Sequence, residues 1–208
     1  GLAHSSSLYT TPQLTGTVLG IPIYETYSEY GDRYCKMGRG AEDFNARYKQ
    51  WLHWLDDDSF PLATTDGRYT IREHDLEEDS GVRGLQVAFN LPGAVLGYED
   101  SLSVEYRLAD PTNPLLANGA QIHLLKANSP KVYLLDATPE TPNHEPDGDT
   151  SGNLDSPLLP GRTFSYTKYG QKVHITSISA DPDAGKVVIQ VNHGTPAGNH
   201  APTGNILF

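Results

Sequence analysis

Val173-His174-Ile175-Thr176-Ser177-Ile178 and Lys186-Val187-Val188-Ile189-Gln190-Val191 stand on either side of Asp181-Pro182-Asp183-Ala184-Gly185. β-Branched residues dominate both arms, and the Pro-Asp-Ala-Gly centre has the chemistry of a turn, so the stretch reads as a β-hairpin. Working back from it, the same kind of segment recurs. Thr163-Phe164-Ser165-Tyr166, Lys131-Val132-Tyr133-Leu134-Leu135 and Gln121-Ile122-His123-Leu124-Leu125 are strand-like. So are Leu102-Ser103-Val104-Glu105-Tyr106, Gly84-Leu85-Gln86-Val87-Ala88-Phe89 and Arg68-Tyr69-Thr70-Ile71-Arg72, the last behind an Asp66-Gly67 turn signal. About eight short strands with no helix between them predict an antiparallel β-sandwich or barrel over residues 59–191.

Outside that region the pattern changes. Residues 1–40 carry Gly, Pro, Ser and Thr without periodicity and read mostly as loop. Phe44, Tyr48, Trp51, Leu52 and Leu55 then recur at helical spacing, which predicts a helix over 42–55. Glu42 and Asp43 suit its first turn, and Asp56-Asp57-Asp58 closes it. The fold class expected is therefore mainly β with a small α part. Residues 138–157 form a long loop rich in Pro, Asp, Asn and Gly, and 192–208 have the composition of a tail or linker.

Composition narrows the partners. A formal net charge of −11 argues against nucleic acid and anionic membranes, which need clustered Lys and Arg. No apolar run is long enough to span a bilayer. The 12 tyrosines suit half-exposed strands. Cys35 is the single cysteine. It is either a buried free thiol or half of a disulfide to another chain segment.

The chain opens on Gly1-Leu2-Ala3-His4, a G-x-x-H, and Met37-Gly38 lies downstream. A catalytic zinc needs three protein ligands and an open position, and no H-E-x-x-H occurs in these residues. Taken alone, His4 reads as an ordinary loop histidine. The longer series gives it a context. Gly1-Leu2-Ala3-His4-Ser5 resembles the G-L-x-H-[SA] run that closes the metzincin zinc helix. Glu29-Tyr30-Gly31-Asp32, continuing to Met37-Gly38-Arg39-Gly40, resembles a segment of the immune-inhibitor-A and gametolysin-like metallopeptidases. Phe44-Asn45-Ala46 through Trp54-Leu55 resembles the helix that follows in them, with His53 where a Gly is common and Cys35-Lys36 where small or apolar residues are usual. Asn118-Gly119-Ala120-Gln121-Ile122-His123-Leu124, Tyr133-Leu134-Leu135-Asp136-Ala137 and Leu158-Leu159-Pro160-Gly161-Arg162 are similar to their β-region.

That resemblance implies a C-terminal remnant of a metzincin catalytic domain (loop, Met-turn and helix, residues 1–58) ahead of the β-sandwich. It implies a secreted, extracellular zinc endopeptidase acting on protein or peptide substrates. His4 would be the third zinc ligand, Met37 the Met-turn floor, and Gly1 and Gly38 structural residues at the site. The other zinc ligands and the catalytic Glu would come from an upstream part of the same protein, leaving no catalytic residue here and no activity for this part alone. The alternative is a non-catalytic extracellular structural or binding module derived from such a peptidase.

Asp147, Asp149, Ser151 and Asp155 fall at positions 1, 3, 5 and 9 of an EF-hand-like loop with Gly152 at position 6, but Leu158 stands where a bidentate Glu belongs. The segment is either an exposed acidic loop or a looser calcium site. His123 and His174 fall in strands, where a satisfied histidine is the expected role.

Overall fold

The computed structural model describes residues 2–9, 26–40, 43–75, 80–93, 99–108, 114–138, 155–168 and 170–194. Eleven strands and one short helix are found among them: β1 Ser5–Tyr9, β2 Thr26–Ser28, α1 Ala46–Trp51, β3 Leu62–Ala63, β4 Gly67–Arg72, β5 Gly84–Ala88, β6 Ser101–Glu105, β7 Gln121–Leu125, β8 Val132–Leu135, β9 Thr163–Lys168, β10 Gln171–Asp181 and β11 Lys186–His193. A 3₁₀ turn, Pro114–Asn118, precedes β7. The chain is mainly β with very little helix.

Two sheets form, of seven strands (β2-β1-β8-β7-β6-β5-β3) and four strands (β4-β11-β10-β9). The hairpin that opened the sequence reading is β10–β11, with a bulge between Ser177 and Ser179. Alternate residues of the two sheets close one core: Leu85, Val87, Leu102, Val104, Ile122 and Leu124 from the larger sheet against Ile71, Val173, Ile175, Val187, Ile189 and Val191 from the smaller. Burial of this apolar area is the main stabilising term.

Two expectations are corrected. The larger sheet is not wholly antiparallel, because β1 runs parallel to β8 and β3 parallel to β5. Residues 1–40 include two strands where loop was expected. Ser5, Ser6 and Ser7 carry no apolar alternation, yet all three are fully buried, small enough to lie beneath other chain segments. These strands belong to the larger sheet, together with β3, β5, β6, β7 and β8 from beyond residue 58.

The helix is shorter than the predicted 42–55. Asn45 caps it, its side chain accepting the Tyr48 N–H at 2.9 Å, which places Asp43 outside the first turn. At the other end His53 turns the chain with φ +59°, so Leu55 is buried from a non-helical segment.

Residues 31–40 and 43–60 lie over the second face of the larger sheet. That face is polar, with Gln86, Ser101, Ser103, Glu105, Gln121 and His123, and every one of them is buried. Gly84 leaves room for this layer, since a side chain there would collide with the Phe60 ring and with Ala46. The fold therefore has three layers, the small sheet, the large sheet and the N-terminal layer, with an apolar seam and a polar one.

Candidate functional site

Strand register brings His4, Glu29, Tyr30 and Lys131 together. Ser5 pairs with Val132 in the parallel ladder, so the residues just before each strand, His4 and Lys131, are neighbours. β2 runs antiparallel to β1 with Ser7 opposite Ser28, so the chain leaving β2 passes beside His4. His4 Nδ1 lies 2.9 Å from Glu29 Oε1, and Tyr30 Oη lies 2.7 Å from His4 Nε2. The Tyr30 and His4 ring centroids are 3.9 Å apart. Lys131 Nζ donates to the same Glu29 Oε1 at 3.3 Å. These hydrogen bonds, that from His4 first and that from Lys131 second, hold the Glu29 carboxyl below its ordinary value. Tyr30 adopts φ +63°, a left-handed conformation that costs a non-glycine residue energy.

Met37 sits under this group. Its carbonyl accepts the Ser5 N–H at 2.8 Å, and its half-buried side chain packs with Leu2 and Phe44 on a cluster of Cys35, Tyr48, Leu125 and Val132. The turn is tight. Gly38 N–H donates to the Cys35 carbonyl at 2.8 Å, and a side chain at Gly38 would collide with the Asp32 carbonyl. From α1, Tyr48 Oη shares its one proton between the His4 carbonyl at 3.2 Å and that of Pro130 at 3.4 Å, and accepts the Val132 N–H at 3.3 Å. One phenol thus ties the helix to the starts of β1 and β8.

Beneath lies a buried network that strand alternation alone does not show. Asp32 accepts Ser5 Oγ–H at 2.6 Å and the Tyr34 N–H at 2.9 Å, and meets His123 Nε2 at 3.3 Å. Glu105 accepts the Ala46 N–H at 2.7 Å and lies 3.5 Å from His74 Nε2. Asp75 pairs with His74, Lys49 and Arg107, each at 3.0 Å. The Arg107 guanidinium also donates to the Tyr34 carbonyl. Burial alone would push the Glu105 carboxyl up, but His123, His74 and Arg107 outweigh it and hold the group at about 2. Burial and the nearby Asp32 push the Cys35 thiol up to about 12.

The remaining expected site residues fall as follows. Gly1, Asp147, Asp149 and Ser151 lie outside the described residues. Asp155 is half-buried, and its backbone carbonyl accepts the Thr138 hydroxyl. Cys35 is a free, fully buried thiol that accepts the Asn45 N–H at 3.4 Å, in keeping with the first of its two alternatives. His174 is satisfied by Ser165 Oγ at 2.7 Å and the Gly194 carbonyl at 3.0 Å.

As a candidate for one metal ligand, His4 offers Nε2, which the Tyr30 hydroxyl occupies at 2.7 Å and would have to leave for a metal to bind. Its Nδ1 is held by a carboxylate, as metal-bound imidazoles usually are, and its side chain is 38% exposed. Among the described residues no three or more His, Cys, Asp or Glu side chains are grouped so as to hold a metal by themselves. Among the same residues no helix is long and apolar enough to cross a membrane. Comparison of the chain with protein-family models, curated proteins and solved structures gave no match.

Proposed function

We propose that these residues are the C-terminal part of a secreted, metzincin-type zinc endopeptidase, contributing one zinc ligand, the Met-turn and a β-sandwich, and completed by an upstream H-E-x-x-H segment. The observation that supports this reading is the Ser5 N–H bond to the Met37 carbonyl at 2.8 Å, which brings Met37 beside the chain at His4 although the two are far apart in sequence. Local chemistry supports it too. The resemblance expects Gly at position 53, and His53 there takes φ +59°, a conformation that favours glycine.

In the proposed site His4 supplies Nε2 to the metal, and Glu29 holds the ring through Nδ1. Tyr48 fixes the His4 backbone, and Met37 forms the apolar floor. When bound, zinc would polarise a peptide carbonyl and make its bound water acidic. The base that takes the water proton would come from the upstream segment, so this part alone would not hydrolyse peptides. The reading is tested by assembling the chain with its upstream segment and measuring zinc by elemental analysis. About one zinc per complex is expected, lost in His4→Ala together with peptide hydrolysis. Full zinc retention in His4→Ala would overturn it.

A further inference from the structure

Glu29 does more in this arrangement than sit beside a histidine. A carboxylate only accepts hydrogen bonds, so the 2.9 Å contact requires the proton on His4 Nδ1. In a neutral ring Nε2 then carries the lone pair, which accepts the Tyr30 hydroxyl at 2.7 Å. Glu29 leaves β2 and Lys131 enters β8, and β1, the strand that His4 precedes, lies between those two strands in the sheet. Lys131 reaches Glu29 Oε1 at 3.3 Å from the far side of His4, so the carboxylate is held by groups from two chain segments.

We infer that Glu29, anchored by Lys131, is a positioning residue that fixes His4 as the Nδ1–H tautomer and keeps Nε2 as the donor toward a zinc-class divalent cation. The purpose assigned to Nε2 rests on the peptidase reading; the tautomer itself does not. Free imidazole side chains prefer the Nε2–H form, so the inference makes a distinctive demand. Glu29 is 46% exposed, and its replacement leaves the buried layers untouched.

The test is ¹H–¹⁵N correlation of histidine-labelled chain without metal at about pH 8, above the ordinary imidazole range, with His4→Gln assigning the resonance. The expected result is protonated Nδ1 and bare Nε2 at His4. Glu29→Leu should shift the tautomer ratio about tenfold toward Nε2–H, as the loss of one charge-assisted hydrogen bond implies. Glu29→Gln, which still offers an acceptor oxygen, should keep Nδ1–H. Lys131→Met should move the ratio the same way by a smaller factor, and no movement would remove Lys131 from the device. The other histidine resonances report that the fold is intact. An Nε2–H tautomer in the parent chain, or a ratio unmoved by Glu29→Leu, would overturn the inference. Because no metal enters this measurement, a fixed tautomer in a protein that binds no zinc would sink the peptidase reading and leave the orientation standing. Zinc binding with a free tautomer would do the reverse.

Discussion

His53 holds φ +59° on an exposed turn, a conformation for which its Cβ is a liability. Replacing it with Gly is expected to stabilise the chain by about 0.5–1 kcal/mol, since relief of left-handed strain outweighs the added freedom of the unfolded chain. Denaturant unfolding reads the difference. Cys35 makes the opposite kind of prediction. Fully buried, with its thiol pushed up to about 12, it should resist thiol reagents at about pH 8 until the protein unfolds. Labelling at the same rate in native and denatured protein would contradict the buried position. At this scale the sequence shows His4 and Met37 as a pair of interest but not their partners. Glu29 and Lys131 are 102 positions apart, and the antiparallel β1–β2 and parallel β1–β8 pairings together bring them near each other.

Among the elements, α1 has the most specific construction. Asn45 caps it, donates to Ser5 Oγ at 3.2 Å and packs against the Cys35 sulfur. Asn45→Ala should therefore cost more than an ordinary cap, about 2 kcal/mol, read as a shift in the denaturation midpoint. Tyr48→Phe should cost about 1–3 kcal/mol, because it strips the His4 carbonyl and the Val132 N–H of their shared partner. The apolar spacing of 44–55 located the helix, yet it could not show where the helix ends. Capping by Asn45 and the left-handed His53 decide that. β10 and β11 were legible throughout because β-branched alternation and a turn agree. β1 was not, since three serines have no face preference until chain packs on them.

The whole molecule joins one apolar seam to one charged seam, and their pH responses differ. Glu105 titrates at about 2 in the folded chain against an ordinary 4.5, so its contribution is present above 4.5 and lost as pH falls toward 2. For His123 and His74, burial lowers the affinity for protons, but Glu105 with Asp32, and Glu105 with Asp75, outweigh it and raise both groups above 6.5. Their contribution is present below 6.5 and lost as pH rises through the raised values. Glu105→Gln is thus expected to destabilise by on the order of 3 kcal/mol at about pH 6, with a smaller difference from the parent toward both pH 2 and alkaline pH. A difference independent of pH would mean that the seam is held by shape alone. The sandwich was legible from strand spacing, whereas the charged seam was not. Gln86, Ser103, Glu105 and His123 alternate as a solvent-facing row would, and nothing local reveals that residues 31–40 and 43–60 cover them. The proposed zinc site at His4 is open to a test of its own. Diffraction from the protein assembled with its upstream segment, collected on both sides of the zinc absorption edge, addresses it directly. One zinc is expected about 2.0–2.1 Å from His4 Nε2, with Nδ1 still on Glu29. An assembled protein with no zinc at His4, or with zinc bound elsewhere, would contradict it.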